Sequence, residues 1–207
     1  MLEDTGERVI PEKMKITNIL LLEHLARYHF ATMFTSGRVL DIACGSGYGT
    51  HIIAKLCKKR VHKIIGIDYS KEAVRYARKT YYHLLTSYIV KDAVDPNLPD
   101  ELGKFDTILS FETIEHIQDE AQFLQNLFNL LKPNGVLLLS TPFGLGRHKP
   151  CSVPFHVHQL SKKEFKHLFQ NYPFSSIKFY FQKGVFITPA DFETDEHYPL
   201  GIVVCRK

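Results

Sequence analysis

Two groups of carboxylate and imidazole side chains have the types and spacing needed to move a proton or to hold a metal ion. Glu112, Glu115 and His116 follow the apolar stretch 105–111, and further histidines lie in a stretch interrupted by prolines and glycines, namely His148, His156 and His158. An imidazole acts as a general base near neutral pH, and carboxylates together with imidazoles bind divalent cations. The same residues also suit a structural role that holds a loop together.

The elements that must position these side chains are organised around a glycine-rich turn. The stretch 39–50 predicts a short buried strand, a tight turn and the start of a helix that runs from Tyr48 to Lys59. The turn contains Gly45, Gly47 and Gly49, which allow the backbone to approach a ligand closely. The N–H groups at the helix N-terminus point into the same crevice, where open α/β sheets bind nucleotides and related ligands.

The order of the glycines separates two kinds of ligand. A dinucleotide-binding turn has the pattern G-x-G-x-x-G, whereas this turn reads G-x-G-x-G and follows an acidic residue, Asp41, at the end of the strand. A carboxylate at that point repels a pyrophosphate and suits an ammonium group or a sulfonium centre. A glycine turn that binds no ligand is the alternative.

The stretch from Val39 to Thr50 resembles the first motif of the class I S-adenosylmethionine (SAM) methyltransferases, which reads hydrophobic-Asp-x-(Ala/Gly)-Cys-Gly-x-Gly-x-Gly. The resemblance covers residues 37–141 well and the remainder loosely. It implies SAM as the cofactor and an α/β fold, a Rossmann-like seven-stranded mostly parallel sheet with helices on both faces. The resemblance also implies an antiparallel last strand, an N-terminal cap helix and the strand order 3-2-1-4-5-7-6.

Acidic residues follow the second and third predicted strands. Asp68, about twenty positions beyond the glycine turn, is placed to accept hydrogen bonds from both ribose hydroxyls. The resemblance implies that Asp92 binds the adenine amino group and that the backbone N–H of Ala93 contacts the ring. Asp95 competes for that role, and a plain turn aspartate is the alternative. The predicted cofactor-binding set is Asp41, Ala43, Gly45, Gly47, Tyr48, Asp68, Tyr69, Asp92, Ala93, Ser110 and Phe111.

Apolar periodicity and turn residues predict the remaining elements. Residues 16–34 predict an amphipathic cap helix, from which Arg27 and Tyr28, together with Arg8 of the preceding arm, are candidates to reach the ligand. Residues 96–103 predict a turn. Further strands are predicted at 62–67, 87–91, 105–111, 136–140, 175–181 and 201–206, and further helices at 70–81, 118–131 and 161–170.

The predicted organisation is a single methyltransferase domain over residues 1–207. Residues 1–35 form the N-terminal arm and the cap helix, and residues 142–160 form a substrate-facing loop. A loop of this length within a compact domain is usually functional. His156 and His158 alternate along an extended segment, so only one of them can face the pocket, and His156 is the candidate that lines the acceptor site.

Composition restricts the class of protein. The 207 residues are 44% hydrophobic and 23% charged, as in an ordinary globular domain. A net charge of +4 with scattered lysines makes a nucleic-acid partner unlikely, and no apolar run has the length of a membrane span. Four cysteines without C-x-x-C spacing indicate reduced thiols, so the sequence predicts a cytoplasmic protein of unknown oligomeric state.

The expected reaction is transfer of a methyl group from SAM to a hydroxyl of a small molecule or glycan. This expectation comes from the pattern Glu-x-x-Glu-His after the fourth predicted strand, which resembles that of the ubiquinone-pathway O-methyltransferases. The predicted catalytic residues are Glu112, His116 and His156. By resemblance to small-RNA 2′-O-methyltransferases, Glu112, Glu115 and His116 with His156 or His158 could instead hold a divalent ion. A nicotinamide-dependent oxidoreductase and a non-catalytic SAM-binding module are the alternatives from other classes.

Overall fold

A computed structural model describes residue 2, residues 8–151 and residues 153–207. Met1, residues 3–7 of the predicted arm and Ser152 of the predicted loop lie outside the described residues. The strands in the described part of the chain are β1 (Gly37–Ile42), β2 (Val61–Asp68), β3 (Thr86–Val90), β4 (Phe105–Phe111), β5 (Leu131–Pro142), β6 (Ser176–Lys183), β7 (Phe186–Pro189) and β8 (Leu200–Arg206). They form one sheet in the order β3-β2-β1-β4-β5-β8-β6-β7.

Helices precede or connect most of the strands. They are α1 (Ile19–Ala31), α2 (Tyr48–Leu56), α3 (Lys71–Thr80), α4 (Leu98–Leu102), α5 (Glu120–Leu130) and α6 (Lys162–His167). Side chains at the N-caps define where several of them begin. Asn18 accepts a hydrogen bond from Leu21 N at the start of α1, and Ser70 accepts one from Ala73 N at the start of α3.

The predicted α/β fold is confirmed. β1 to β5 pair in parallel, and β8 runs antiparallel between β5 and β6. The seven predicted strands lie in the predicted order, and β7 adds an eighth strand at the sheet edge by pairing with β6. The sequence analysis missed β7 because it has four residues, of which three are exposed, so it lacks an alternating apolar face.

Helices cover both faces of the sheet, as predicted. On one face α1, α2 and α3 pack with Leu21, Ile53 and Ala77 against the sheet. On the other face α4, α5 and α6 bury a second cluster of apolar side chains, among them Leu102, Phe123, Phe165 and Phe169. The sheet is therefore buried on both sides, which accounts for the continuous apolar runs in its central strands.

Several elements differ from the prediction in their bounds or in type. The strand predicted at 136–140 extends over Leu131–Pro142, and the helix predicted at 161–170 spans Lys162–His167. The cap helix ends at Ala31 rather than Phe34, and Met33 beyond it is exposed. The helix after the glycine turn ends at Leu56 rather than Lys59. Residues 96–103, predicted as a turn, contain α4, because Leu98 and Leu102 lie four residues apart and are both buried.

The carboxyl ends of the parallel strands bring the candidate residues to one edge of the sheet. Neighbouring pairs place the end of β1 beside the ends of β2 and β4, and the end of β4 beside β5. β6 reaches the same edge, because Gln182 of β6 and Pro142 of β5 both pair with Leu200 of β8. This edge, called the carboxyl edge below, carries the candidate site.

The cysteines and the helices can be compared with two further expectations from the sequence, reduced thiols and the absence of a membrane span. Cys44, Cys57 and Cys205 are buried free thiols, and Cys151 is a half-buried one. Among the helices of the described residues, each falls short of the length and apolar character needed to cross a bilayer.

Candidate functional site

The glycine turn between β1 and α2 has an unusual backbone. Ala43, Gly45 and Gly47 have φ angles of 54°, 55° and 89°, which turn the chain sharply before the helix starts. Cys44 N donates to Ile67 O at 2.9 Å and Gly47 N donates to Cys44 O at 3.0 Å. Ala43 is not a glycine, so its positive φ stores strain, a feature that clusters at functional sites.

The three glycines of the turn have different surroundings. A Cβ at Gly45 would meet no atom within 4 Å, so this residue borders open space. A Cβ at Gly47 would collide with Ala77 and Tyr88, and a Cβ at Gly49 would collide with the ring of Tyr28. Gly47 and Gly49 therefore make room for packing side chains, and close approach of a ligand to the three glycines stays a prediction.

Asp68, at the end of β2, holds the glycine turn in place. Its Oδ2 accepts a hydrogen bond from Gly45 N at 2.9 Å, and its Oδ1 accepts one from Ser70 N at 2.9 Å. Burial raises the pKa of this carboxyl group, while the two backbone N–H groups and the charge of Arg8 act in the opposite direction. Asp68 thus connects the turn to the start of α3.

Asp41 lies beneath the turn rather than facing open space. Its side chain is 1% exposed and accepts hydrogen bonds from Thr50 Oγ1 at 2.6 Å and from the Tyr28 hydroxyl at 3.2 Å. Burial raises the pKa of Asp41 to about 7, against the lowering effect of these two hydrogen bonds. The carboxylate therefore links the cap helix and α2 to the end of β1.

The other predicted cofactor residues have diverse surroundings. Tyr69 is 77% exposed, and Asp92 Oδ1 accepts a hydrogen bond from Val94 N at 3.0 Å, as in an Asx turn. Ala93 O accepts from Asn126 Nδ2 at 2.9 Å. The buried Ser110 Oγ has no hydrogen-bond partner among the described residues, and the ring of Phe111 packs edge-on against Tyr28.

Glu112 follows β4 at the same edge and also has a strained backbone, with a φ of 49°. Its Oε1 accepts a hydrogen bond from Ser140 Oγ at 2.7 Å. Positive φ angles at non-glycine residues therefore occur at the ends of two neighbouring strands, at Ala43 after β1 and at Glu112 after β4. The two positions flank the crevice where the predicted cofactor and acceptor would meet.

Glu115 is buried one helical turn further along the chain. Its Oε2 accepts a hydrogen bond from Thr141 Oγ1 at 3.2 Å. Burial, with the neighbouring charge of Glu112, raises the pKa of Glu115 well above its ordinary value. The backbone carbonyl of Glu115 also accepts from Val157 N at 2.8 Å, so the predicted substrate-facing loop is attached at this point.

His116 and His156 come together across that attachment, with ring centroids 4.9 Å apart. His116 Nδ1 lies 3.0 Å from Phe155 O, and a carbonyl only accepts, so in the neutral imidazole Nδ1 carries the proton and Nε2 has the lone pair. Possible ligand atoms of Glu115, His116 and His156 lie within 4.8 Å of one another. Glu112, the fourth member of the predicted metal set, is not in this group.

The remaining histidines of the loop lie elsewhere. His158 is buried, with Nε2 3.3 Å from Glu120 Oε2, and burial lowers its pKa. His148 is exposed. Of the pair His156 and His158, His156 lies in the group with Glu115 and His116, and His158 lies beside Glu120. That His156 lines the acceptor site stays a prediction.

The cap helix contributes polar residues to this edge, of which the sequence analysis selected Arg27 but not Glu23 or His24. His24 Nδ1 lies 2.9 Å from the hydroxyl of Tyr48 at the start of α2, and burial holds the pKa of His24 well below its ordinary value. Arg27 is buried and donates to Gln182 Oε1 at 2.9 Å, and its charge partly opposes the burial that raises the pKa of Glu23 and of Glu115. Glu23 and Arg27 are four residues apart, which is also the spacing of an ordinary solvated ion pair on a helix surface. Their spacing alone therefore does not distinguish them from surface residues.

Comparisons with protein-family models, with curated sequences and with solved structures all lead to methyltransferases. The methyltransferase domain family matches residues 34–182. A protein of Mycolicibacterium smegmatis, named a probable SAM-dependent methyltransferase, is 34% identical over 171 residues, which cover 80% of this chain and 63% of that protein. The chain thus spans a little under two thirds of that curated relative.

A more distant relative and a solved structure extend this comparison. The ubiquinone biosynthesis O-methyltransferase of Xanthomonas euvesicatoria is 34% identical over 108 residues, which cover 50% of this chain and 42% of that protein. The crystal structure of a SAM-dependent methyltransferase from Archaeoglobus fulgidus has a TM-score of 0.63 at 16% identity, covering 92% of this chain and 95% of that one. At this identity the structural match supports the fold alone.

Proposed function

Because this chain belongs to the methyltransferase domain family, we propose that it transfers the methyl group of SAM to a hydroxyl group of a small molecule or glycan. The residues at the carboxyl edge fit SAM. Gly45 borders open space at the N-terminus of α2, and the buried Ser110 hydroxyl has no partner among the described residues. Asp68 lies at the turn, where its carboxylate suits ribose hydroxyls.

The chemistry that bound SAM supplies is an electrophilic methyl group on a positively charged sulfur. The chain's own task is to align the acceptor, exclude water and remove a proton from the acceptor oxygen. We assign proton removal to His116 Nε2, and the positioning of the acceptor to Glu112 and His156.

The observation that carries this assignment is the contact of His116 Nδ1 with Phe155 O. This contact places a proton on Nδ1, so in the neutral imidazole Nε2 has the lone pair that a base needs. His116 and Glu112 follow β4, which pairs directly with the strand that carries the glycine turn. The O-methyltransferase name of the Xanthomonas relative supports the choice of oxygen as the acceptor atom.

The test is a binding and transfer experiment. We expect calorimetry to detect SAM binding, and we expect methyl-labelled SAM to label members of a panel of hydroxylated compounds. NMR of the products should show new O–CH₃ groups. Labelling only at nitrogen or carbon, or SAM binding without transfer to any member, would contradict the proposal, and the second result would favour a non-catalytic module.

His116→Ala should lower turnover on the labelled acceptor by roughly 100-fold, as expected for loss of a general base. SAM affinity should change little, because His116 lies in the acceptor part of the edge. His62→Ala is the matched control, since His62 is exposed near the start of β2, at the opposite edge of the sheet. An unaltered rate in His116→Ala would remove this residue from the catalytic set.

A metal-assisted transfer to an RNA 2′-hydroxyl is the second candidate, favoured by the grouping of Glu115, His116 and His156. A carboxylate and two imidazoles suit Mn²⁺ or Zn²⁺, and the metal would lower the pKa of a bound hydroxyl. Loss of transfer after chelation, with recovery on adding Mn²⁺, would support this candidate. Full activity in chelator would support His116 as a metal-free base.

A further inference from the structure

A cavity of about 600 Å³ opens between the N-terminal end of α1 and the turn that joins β6 to β7. This volume lies within the range of small-molecule sites. Its walls are mainly apolar, with charged groups at Glu23, Lys183 and Glu196. The apolar part of the lining consists of Ile19, Leu22, Val185, Phe186 and Tyr198.

The walls of the cavity are tied together by hydrogen bonds. Gln182 Nε2 donates to Glu23 O of α1 at 3.0 Å and to Gly184 O of the turn at 2.7 Å. Arg27 Nη1 donates to Gln182 Oε1 at 2.9 Å, which fixes the amide between helix and strand. Because these contacts hold α1 against the β6–β7 turn, the cavity is preformed rather than opened by a ligand.

The cavity lies at the same edge of the sheet as the candidate active site. β6 ends at the carboxyl edge beside β8 and β5, and the turn that follows β6 forms one wall of the cavity. On the opposite wall, Glu23 of α1 lies one position before His24, whose Nδ1 is 2.9 Å from the hydroxyl of Tyr48 at the start of α2. The cap helix therefore connects the cavity wall with the start of the helix that follows the glycine turn.

We propose that this cavity binds the hydrocarbon part of the methyl acceptor, and that the acceptor is an uncharged, mainly apolar alcohol. The proposal rests on the proposed function and narrows its substrate class. A glycan would need many hydrogen-bond partners, whereas five apolar side chains line these walls. An anionic acceptor would meet two carboxylates in the cavity walls, Glu23 and Glu196, against the single ammonium group of Lys183, so like charges disfavour it.

The charged groups Lys183 and Glu196 of the cavity wall do not offset the preference for an uncharged acceptor. Lys183 Nζ pairs with Glu196 Oε1 at 2.9 Å, and the Tyr198 hydroxyl donates to Glu196 Oε2 at 2.9 Å. Lys183 is thus already paired with a carboxylate of the cavity wall. An acceptor in the cavity therefore meets apolar walls and the carboxylate of Glu23.

The binding test uses 1-decanol and decanoic acid with the whole chain at pH 8 and without SAM. We expect 1-decanol to bind by calorimetry and to produce ligand-observed NMR signals, and decanoic acid to bind at least tenfold more weakly. Ile19→Asp places a charge in the cavity and should weaken 1-decanol binding at least tenfold. Ile19 is 69% exposed at the first position of α1, where an aspartate favours the helix, so the variant should fold.

Leu84→Asp is the matched control, because Leu84 is 87% exposed just before β3, at the other end of the sheet order. It should bind 1-decanol as the unsubstituted chain does. Equal binding of alcohol and acid, or equal weakening by both substitutions, would overturn the proposal. A dimer in light scattering that Ile19→Asp converts to monomer, without alcohol binding, would overturn it in favour of a second copy as the occupant.

These results are separate from the test of the proposed function. Binding of 1-decanol is measured without cofactor, whereas the proposed function depends on SAM binding and label transfer. Failure of the cavity test with successful transfer would exclude the apolar acceptor class and leave O-methyl transfer in place. If 1-decanol binds in the cavity but no label is transferred to any acceptor, the cavity is a site for apolar alcohols and the proposed O-methyl transfer is contradicted.

Discussion

Two aspartates at the ends of neighbouring strands show how residues of one type serve different purposes. Asp68 uses both carboxylate oxygens to hold backbone N–H groups of the glycine turn and of α3. Asp41 is buried beneath the turn and contacts Tyr28 and Thr50. Neither carboxylate is free of structural contacts, so a substitution of either residue affects stability as well as ligand binding.

Asp68→Ala should weaken SAM binding by roughly 10- to 100-fold, because two backbone N–H groups lose their acceptor and the turn loses its support. Calorimetric titration with SAM measures the effect. Asp100→Ala, a substitution of an exposed aspartate in α4, is the control and should leave affinity unchanged. An unchanged affinity in Asp68→Ala would count against the assigned cofactor site.

The buried Asp41 predicts a pH dependence of stability. The unfolded chain loses this proton near the ordinary pKa of 3.8, whereas the folded protein retains it up to about 7. The folded state binds more protons between these values, so rising pH lowers the free energy of unfolding across this window. Asp41→Asn cannot ionise, so its stability relative to the unsubstituted chain should rise by an amount on the order of 4 kcal/mol between pH 4 and pH 7.

Urea denaturation of both proteins from pH 4 to pH 9 checks this prediction. The difference between the two free energies of unfolding should level off above pH 8, where Asp41 is ionised in both states. Other titrating groups, including Glu115, are common to both proteins and cancel in the difference. Parallel stability curves for the two proteins would show that Asp41 does not titrate in this window.

At the scale of elements, the cap helix is packed directly on the glycine turn. The Tyr28 ring occupies the space that a side chain at Gly49 would need, and it packs edge-on against Tyr48 and Phe111. The position of α1 therefore depends on the absence of a side chain at Gly49 of α2. This contact couples the shape of the glycine turn to α1, which forms one wall of the cavity beside the β6–β7 turn.

Gly49→Ala should destabilise the protein by roughly 1–3 kcal/mol and weaken SAM binding, because the added methyl group displaces the Tyr28 ring. Tyr28→Ala makes room for that methyl group. Denaturation of the two single variants and the double variant forms a cycle, in which the double variant should lose less than the sum of the two. Additive losses would indicate that the ring and the glycine do not interact.

At the scale of the whole molecule, distant parts of the chain meet at the carboxyl edge. Arg27 and Gln182 are 155 positions apart, and their buried hydrogen bond joins the cap helix to β6. Gln182 also donates to Glu23 O of α1 and to Gly184 O of the β6–β7 turn, so this link holds together the two walls of the cavity between them. The arm adds a smaller link, since Ser46 Oγ in the glycine turn donates to Val9 O at 2.8 Å.

Gln182→Leu should destabilise the protein by about 1–3 kcal/mol, because the buried Arg27 guanidinium loses its acceptor. The double variant Arg27→Met/Gln182→Leu should recover part of that loss, since neither polar group is then left unpaired. Denaturant unfolding of the single and double variants measures the coupling between them. A double variant that loses the sum of the single effects would argue against the link.

Local patterns in the sequence were sufficient to predict the alternation of strands and helices, the glycine turn and the carboxyl ends that carry the acidic residues. Each of these depends on residues within a few positions of one another, as at Ser70 and Ala73. Two elements were missed: α4, where Pro99 lies between the buried Leu98 and Leu102, and β7, which is too short and too exposed to show a pattern. The sequence by itself thus determined the family and the predicted cofactor.

Only the tertiary structure decided which of these residues touch one another. Sequence spacing could not place Tyr28 over Gly49, bury Asp41 under the turn, or bring His156 to His116 across 40 positions. The cavity between α1 and β6–β7 likewise exists because segments far apart in the chain are packed at one edge. Such contacts arise from packing of the whole molecule, which no local period or spacing records.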